Sequence, residues 1–351
     1  MNSKKIKAMR KIFLILPFIV IFYLSGYGQN AHVVFGNGAL ACPEPINWIL
    51  PDNSYCIVYQ KGDMIINWFE SSDGHMVIKN EQGFFEYAIL NTNGDAIPSG
   101  VRYNDVNKRN AIEKAFVNNL PGNIFYSTAQ VKKLQKNSHL NQNSKNVLIG
   151  GFPSTGVRKM LLILAKFSDS SPTYTQTQFD NLMNQAGYNG TGSFKDYYYE
   201  VSYGKLTINT TVTAWVTTPN TRSYYASNKA QFVRDAVNAA DAAGIDFSQF
   251  DNDGDGYVDG VAVIHTGQGQ EVSGNTLDIW SHNWSLSSAG YTVVKDGKTV
   301  NSYTCQPEKY TSSTMVNIGV ICHEVGHNLG LPDFYDTDYE TGGSYTGTGK
   351  W

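Results

Sequence analysis

Charge is scarce in this chain. Only 16% of its 351 residues are Asp, Glu, Lys or Arg, and no basic block lies beyond the first eleven residues. A nucleic-acid binder needs clustered Lys and Arg to neutralise phosphates, so that class is excluded. Long apolar runs are also missing. The run Ile12–Leu24 falls short of the roughly 20 residues that cross a bilayer as a helix. Disorder is excluded by what remains: 41% of residues are hydrophobic and 13% aromatic, enough to build buried cores.

The basic residues that do cluster are Lys4, Lys5, Lys7, Arg10 and Lys11, directly ahead of that apolar run. The small and polar Ser25-Gly26-Tyr27-Gly28 follows it. Charged, apolar and small residues in that order are the pattern of a secretory signal peptide over residues 1–28, cleaved near Gly28. The expected product is secreted, either free or associated with the cell surface, and touches a membrane only through this peptide during export. The segment carries five basic and no acidic residues, so its loss takes the formal charge from −3 to −8. Export permits disulfides. The four cysteines fall as Cys42 with Cys56 and Cys305 with Cys322. Local pairing is the simplest of three connectivities, with free buried thiols the alternative. Cys42 is also placed where it could cap a metal in a latent precursor.

Residues 29–133 read as a small, mostly antiparallel β domain. Short runs rich in β-formers (Ile57–Tyr59, Met64–Phe69, Met76–Lys79, Phe84–Leu90) alternate with turn signals at Lys61-Gly62-Asp63, Ser72-Asp73-Gly74 and Gln82-Gly83. Helices are expected near 107–117 and 129–136. The position, between a signal peptide and a catalytic region, is that of a prosegment. Residues 134–156 are rich in Asn, Ser, Lys and Gly and form a linker open to processing. Residues 157–351 alternate strand and helix signals. The apolar run Met160–Phe167 reads as a buried strand, Ser193 caps a helix that places Phe194, Tyr197 and Tyr198 at core spacing, and Gln231–Ala243 is alanine-rich and helical. This is an α/β (α+β) domain. It is expected to be incomplete at its C-terminus, since the chain ends 24 residues after His327.

Near that end stands IGVICHEVGHNLGLPDFYD, Ile318 to Asp336. His323 and His327 are four apart, so on a helix both imidazoles leave one face and can reach one zinc ion. Glu324 lies beside the first histidine, on the side where it can take a proton from a zinc-bound water. Ile318, Ile321, Val325 and Leu329 form the apolar face. Gly330 suits a left-handed helix stop and Pro332 forbids continuation, so the chain reverses and brings Asp333 back as a third ligand. His265 and His282 are expected to be packed rather than ligating.

A second acidic cluster, DNDGDGYVD, puts Asp251, Asp253, Asp255 and Asp259 at odd positions with the Tyr257 carbonyl between. That is the opening of a calcium loop, and the repelling carboxylates invite a cation. The twelfth position, a bidentate glutamate in a regulatory EF-hand, is Ala262, so a structural calcium site is expected instead.

HEVGHNLGLPDFYD with IGVIC before it resembles the immune inhibitor A-type family of secreted bacterial metalloproteases, within the metzincins. VIHTGQGQE, IWSHNW, DNDGDGYVDG and GSFKDYYYEVSYGKL resemble further blocks of the same catalytic domain, and GDMIINWFESSDGHMVI and GFFEYA resemble its N-terminal extension. The resemblance implies a metzincin-like fold with catalytic zinc on His323, His327 and Asp333 and Glu324 as general base. It also implies calcium near Asp251–Asp259, a latency-keeping prosegment, and protein or peptide substrates. One departure is that no methionine follows Met315, whereas metzincins place a methionine turn beneath the metal. Two other readings compete. One is a calcium-stabilised, protease-derived binding module without catalysis. The other is a gluzincin-type enzyme using Glu340 as its third ligand.

Overall fold

The computed structural model describes residues 39–137 and 151–333. The expected signal peptide, the linker centre at 138–150 and everything after Asp333, Glu340 included, lie outside the described residues. The first region is a meander of six antiparallel strands in sequence order: β1 (Ile46–Ile49), β2 (Tyr55–Gly62), β3 (Asn67–Glu70), β4 (Met76–Lys79), β5 (Phe85–Leu90) and β6 (Ala96–Arg102). The turns explain why the strands pair with their neighbours. In Asn80–Gly83 and Asn91–Gly94 the asparagine Oδ1 accepts two backbone N–H groups beyond it, and the glycine takes a positive φ. The expected turn at Lys61–Asp63 is displaced. β2 continues through Gly62, and the Asp63 carboxylate then accepts the N–H groups of Ile65 and Ile66, starting the next strand at Asn67. Helices α1 (Ala111–Val117) and α2 (Thr128–Asn137) follow, close to the expected positions.

The second region is built on β7 (Gly156–Lys166), whose residues Met160 to Ala165 are all buried. A strand buried on both faces reads as an unbroken apolar run because helices cover both sides. Leu161, Ile163 and Ala165 face a core completed by Phe232, Val233, Ala236 and Val237. Met160, Leu162 and Leu164 face the opposite one, with Phe179, Leu182, Phe194, Ile321 and Val325. The covering helices are α3 (Gln176–Asn184) and α4 (Phe194–Val201); after β8 (Leu206–Val212) and β9 (Val216–Thr217) come α5 (Arg222–Ala226) and α6 (Lys229–Ala242). β10 (Val261–Gln268), the short α7 (Gln270–Ser273), β11 (His282–Ser285), the β12–β13 hairpin (Val293–Lys295, Lys298–Val300), β14 (Ser302–Lys309) and α8 (Ile318–Asn328) complete the chain order.

The main sheet runs β11-β14-β10-β7-β8. β14, β10, β7 and β8 are parallel, and only β11 is antiparallel, at the edge. The expected α/β domain is therefore present, with one correction. Phe194 and Tyr198 are buried, whereas Tyr197 is 42% exposed, at the margin of the same helix face with its ring edge-on to Tyr198.

Candidate metal centre

Helix α8 forms where the sequence places it. Asn317 caps it, its side chain accepting the Gly319 N–H at 2.9 Å. Ile321 and Val325 are fully buried, with Ile318 and Leu329 packed alongside. The helix stops through a paired turn: Leu331 N–H reaches Gly326 O at 3.1 Å and Gly330 N–H reaches His327 O at 2.9 Å, with Gly330 at φ +88°. This stop fixes two functional groups. It carries Asp333 back over the helix, and it presents the Leu331 carbonyl 2.8 Å from His327 Nδ1. With that ring nitrogen donating, the lone pair of Nε2 faces the centre.

His323 Nε2 and His327 Nε2 are 3.3 Å apart, and Asp333 Oδ1 lies 3.2 Å and 3.5 Å from them. A tetrahedral cation with ligand bonds of about 2.05 Å spaces its ligand atoms about 3.3 Å apart, so the donor triangle has the size such an ion needs. The potential is also suitable. Burial works against charge on His327, yet Asp333 and Glu324 outweigh it and raise its pKa to about 9. Burial likewise opposes the Asp333 carboxylate, and the two imidazoles overcome it and hold that group well below the usual range.

Glu324 is fully buried, and neither carboxylate oxygen has a hydrogen-bond partner. Burial pushes its pKa up, while the charges of the two histidines favour its charged form. An orphaned buried carboxylate is costly, and this one lies within 4.8 Å of the imidazole nitrogens.

Four distant groups brace the helix. Tyr198 OH donates to Cys322 O at 2.7 Å. Asn328 accepts Asn283 Nδ2 and Ser302 Oγ at its side-chain oxygen, and Phe152 N–H at its carbonyl, tying the helix end to β11, β14 and the chain before β7. Gly260 makes room for it, since a Cβ there would lie 2.6 Å from Asn328 Nδ2. Hydrophobic periodicity does not reveal these braces, because each depends on residues remote in sequence.

The cysteine expectations need correction. All four thiols are free and buried, so neither local disulfide forms and the free-thiol alternative is the one observed. Cys42 does not turn to the histidines. Its Sγ is 3.4 Å from the Tyr310 hydroxyl, to which it donates. His265 and His282 are buried, as expected, and each uses Nδ1 on a backbone carbonyl nearby, Thr266 O and Trp280 O.

The aspartate loop is assembled differently. The carboxylates of Asp251, Asp253 and Asp255 converge within 4.8 Å of one another. Asp251 also accepts Gly254 N–H and Lys298 Nζ, both near 2.8 Å. Asp259, expected in the same set, stands apart from that trio and accepts the Asn252 N–H. Its Oδ1 is buried without a partner, and burial, aided by the charges of Asp253 and Asp255, raises its pKa to about 6. The Tyr257 backbone bridges Thr299 in parallel fashion. Ala262, at the position of an EF-hand glutamate, is buried in β10.

The family described as immune inhibitor A peptidase M6, catalytic domain, matches residues 163–351. Immune inhibitor A of Bacillus thuringiensis subsp. alesti is 35% identical over 184 residues, covering 42% of this chain and 26% of the relative. The pre-pro-metalloprotease PrtV of Vibrio cholerae serotype O1 is 28% identical over 213 residues, covering 49% of this chain and 22% of the relative. The chain thus spans about a quarter of the length of the curated relatives it matches.

Proposed function

The chain belongs to the immune inhibitor A peptidase M6 family, and from that membership we propose that it supplies the catalytic region of a secreted zinc endopeptidase acting on extracellular proteins. The observation that carries the proposal is the triangle of His323, His327 and Asp333 with the unpartnered Glu324 carboxylate beside it. Zinc held by those three donors would lower the pKa of a bound water and polarise the scissile carbonyl.

The protein's own groups do the rest. His327 Nδ1–H on the Leu331 carbonyl keeps its ring in the ligating tautomer. Asp333 supplies the anionic donor that balances a dication. Glu324 takes a proton from the attacking water at a carboxylate oxygen and delivers it to the leaving amine nitrogen. Its burial suits both steps, because a raised pKa brings the carboxylate nearer to the basicity that proton exchange requires. The prosegment reading rests on residues 39–42, which pass beside Glu324 and Glu271. The structural calcium reading rests on the Asp251–Asp253–Asp255 trio.

The decisive experiment is Glu324→Gln in the full-length zinc-loaded protein. Cleavage of casein should fall by about 10²–10⁴-fold, the usual share of a general base, while bound zinc stays at one equivalent. Cleavage that survives this substitution would defeat the assignment.

A further inference from the structure

Helix α8 ends one residue after its second histidine, and the last turn of a helix leaves four carbonyls without an intrahelical donor. The stop turn serves three of them. Leu329 N–H reaches Val325 O at 3.2 Å and Gly326 O at 3.1 Å, and Gly330 N–H reaches His327 O at 2.9 Å. The fourth carbonyl belongs to Asn328, and its donor is Phe152 N–H, 2.9 Å away. That donor comes from the short stretch between residues 138–150 and β7, not from the helix or its turn.

Both residues are buried, Asn328 being 3% exposed and Phe152 4%. The Phe152 ring lies in the core that holds Ile321, Val325 and Tyr198, so the chain ahead of β7 packs on the helix whose end it completes. The Asn328 side chain works in another direction. Its Oδ1 accepts Ser302 Oγ at 2.7 Å and also Asn283 Nδ2, one donor from β14 and one from β11. An oxygen held by two donors on different strands fixes the angle of the last turn, and Gly260 walls the amide on a further side. Losing that oxygen would strand two buried donors. None of these groups touches a ligand atom. They act through the chain, since His327 precedes Asn328 and the turn carrying the Leu331 carbonyl and Asp333 follows it.

We infer that Asn328 and Phe152 form a latch that positions the ligating end of α8, and that the catalytic unit begins at Gly151-Phe152 rather than with β7. A processing cut that preserves the metal centre then falls upstream of Phe152. Asn328 is a positioning residue, setting where His327 Nε2 and the returning Asp333 lie before any metal arrives. This rests on the zinc reading above and adds to it the groups that keep the ligands in register.

The test uses the full-length protein. Zinc affinity is read by competition with a chelator, and ligand geometry by the visible spectrum of the cobalt(II)-loaded form; neither needs catalysis. Asn328→Ala should weaken zinc by about 10-fold, the low end of what losing a supporting partner costs a metal site, and should alter the cobalt spectrum. Asn328→Asp keeps an oxygen for both donors and should restore both readouts. A residue that supports only the fold would lower the melting temperature in Asn328→Ala with zinc affinity and cobalt spectrum unchanged, and that result overturns the latch. If Asn328→Ala does not fold, Ser302→Ala removes one donor and leaves the helix intact. It should weaken zinc by about 3-fold, near the lower worth of one hydrogen bond, and parental affinity in this variant also overturns the latch. The boundary is tested by inserting a site-specific protease sequence between residues 143 and 144, or between residues 154 and 155, and cutting after folding. The first cut should leave zinc bound and the second should release it. Equal retention after both cuts overturns the boundary. A zinc-loaded parent protein that leaves casein uncut would instead count against the protease reading, with the latch results standing.

Discussion

The helix site and the aspartate loop both gather charged residues within a short stretch of chain, yet they are held by different means. At the helix site the donor atoms are buried and aimed by structure beyond the helix itself: the helix stop, the Leu331 carbonyl, and braces from Tyr198, Asn283 and Ser302. In the loop the carboxylates largely satisfy themselves. Asp253 accepts Asp255 N–H, Asp255 accepts Tyr257 N–H, and Asp251 pairs with Lys298. The first arrangement spends folding energy to place ligands in advance, which favours chemistry. The second pays little until a cation arrives, which favours stability linked to ion binding.

The largest effect that would sharpen this contrast comes from two matched substitutions. Gly330 and Gly254 both hold a left-handed φ, +88° and +81°, which a β-branched residue resists by about 1–2 kcal/mol. Gly330→Val should shift the turn that carries Asp333 and the Leu331 carbonyl, lowering zinc affinity and proteolysis by about 10- to 100-fold. Gly254→Val imposes similar strain where a Cβ would meet nothing. It should reduce calcium-dependent thermal stabilisation and leave zinc affinity unchanged. Equal loss of zinc in both variants would show that the two sites are not independent.

Much of the helix site was legible because its logic is local. The i, i+4 histidines, the glycine stop and the returning aspartate lie in one continuous stretch, and the observed turn is the one expected from Gly330. The β meander was legible for the same reason, through its Asn and Gly turns. What the sequence could not reveal depends on contacts between distant residues. Asn328 looks like an ordinary polar residue at a helix end until β11 and β14 are beside it. Trp280 lies in a motif that resembles the family's, but its hydrogen bond to the Ala39 carbonyl joins residues far apart in sequence. The aspartate loop was half legible. Odd spacing predicted convergence, and three carboxylates converge, but Asp259 is buried ahead of β10 and accepts the Asn252 N–H instead.

Asp259 gives the next effect in size. Burial holds its folded pKa at about 6, above the ordinary carboxylate value of 3.8, so with no cation bound the folded state binds more protons between those values. Stability is then greatest below about pH 4 and falls as pH rises through 6, by roughly 3 kcal/mol. A calcium ion close enough to favour the carboxylate should flatten or invert that slope and release protons near pH 5. Urea midpoints at pH 4 and 7, with calcium and with a chelator, measure it; Asp259→Asn should remove the difference. A slope that persists in Asp259→Asn would place the titrating group elsewhere and leave Asp259 outside the calcium site.

The smallest effect concerns Lys298, whose ammonium lies 2.7 Å from Asp251 Oδ2 and holds that carboxyl below its ordinary range. A calcium ion drawing on Asp251 must share it with this cation. The lysine side chain is 29% exposed, so solvent screens the pair and its net worth is under about 1 kcal/mol. Lys298→Met should therefore cost little stability in chelator, yet raise calcium affinity about 3- to 5-fold by removing a nearby like charge. Calorimetric calcium titration separates the two quantities. The reverse result, weaker calcium binding in Lys298→Met, would mean that Lys298 orients Asp251 for the ion. The loop would then be prearranged by a distant residue much as the helix site is, and the contrast between the two sites would be one of degree.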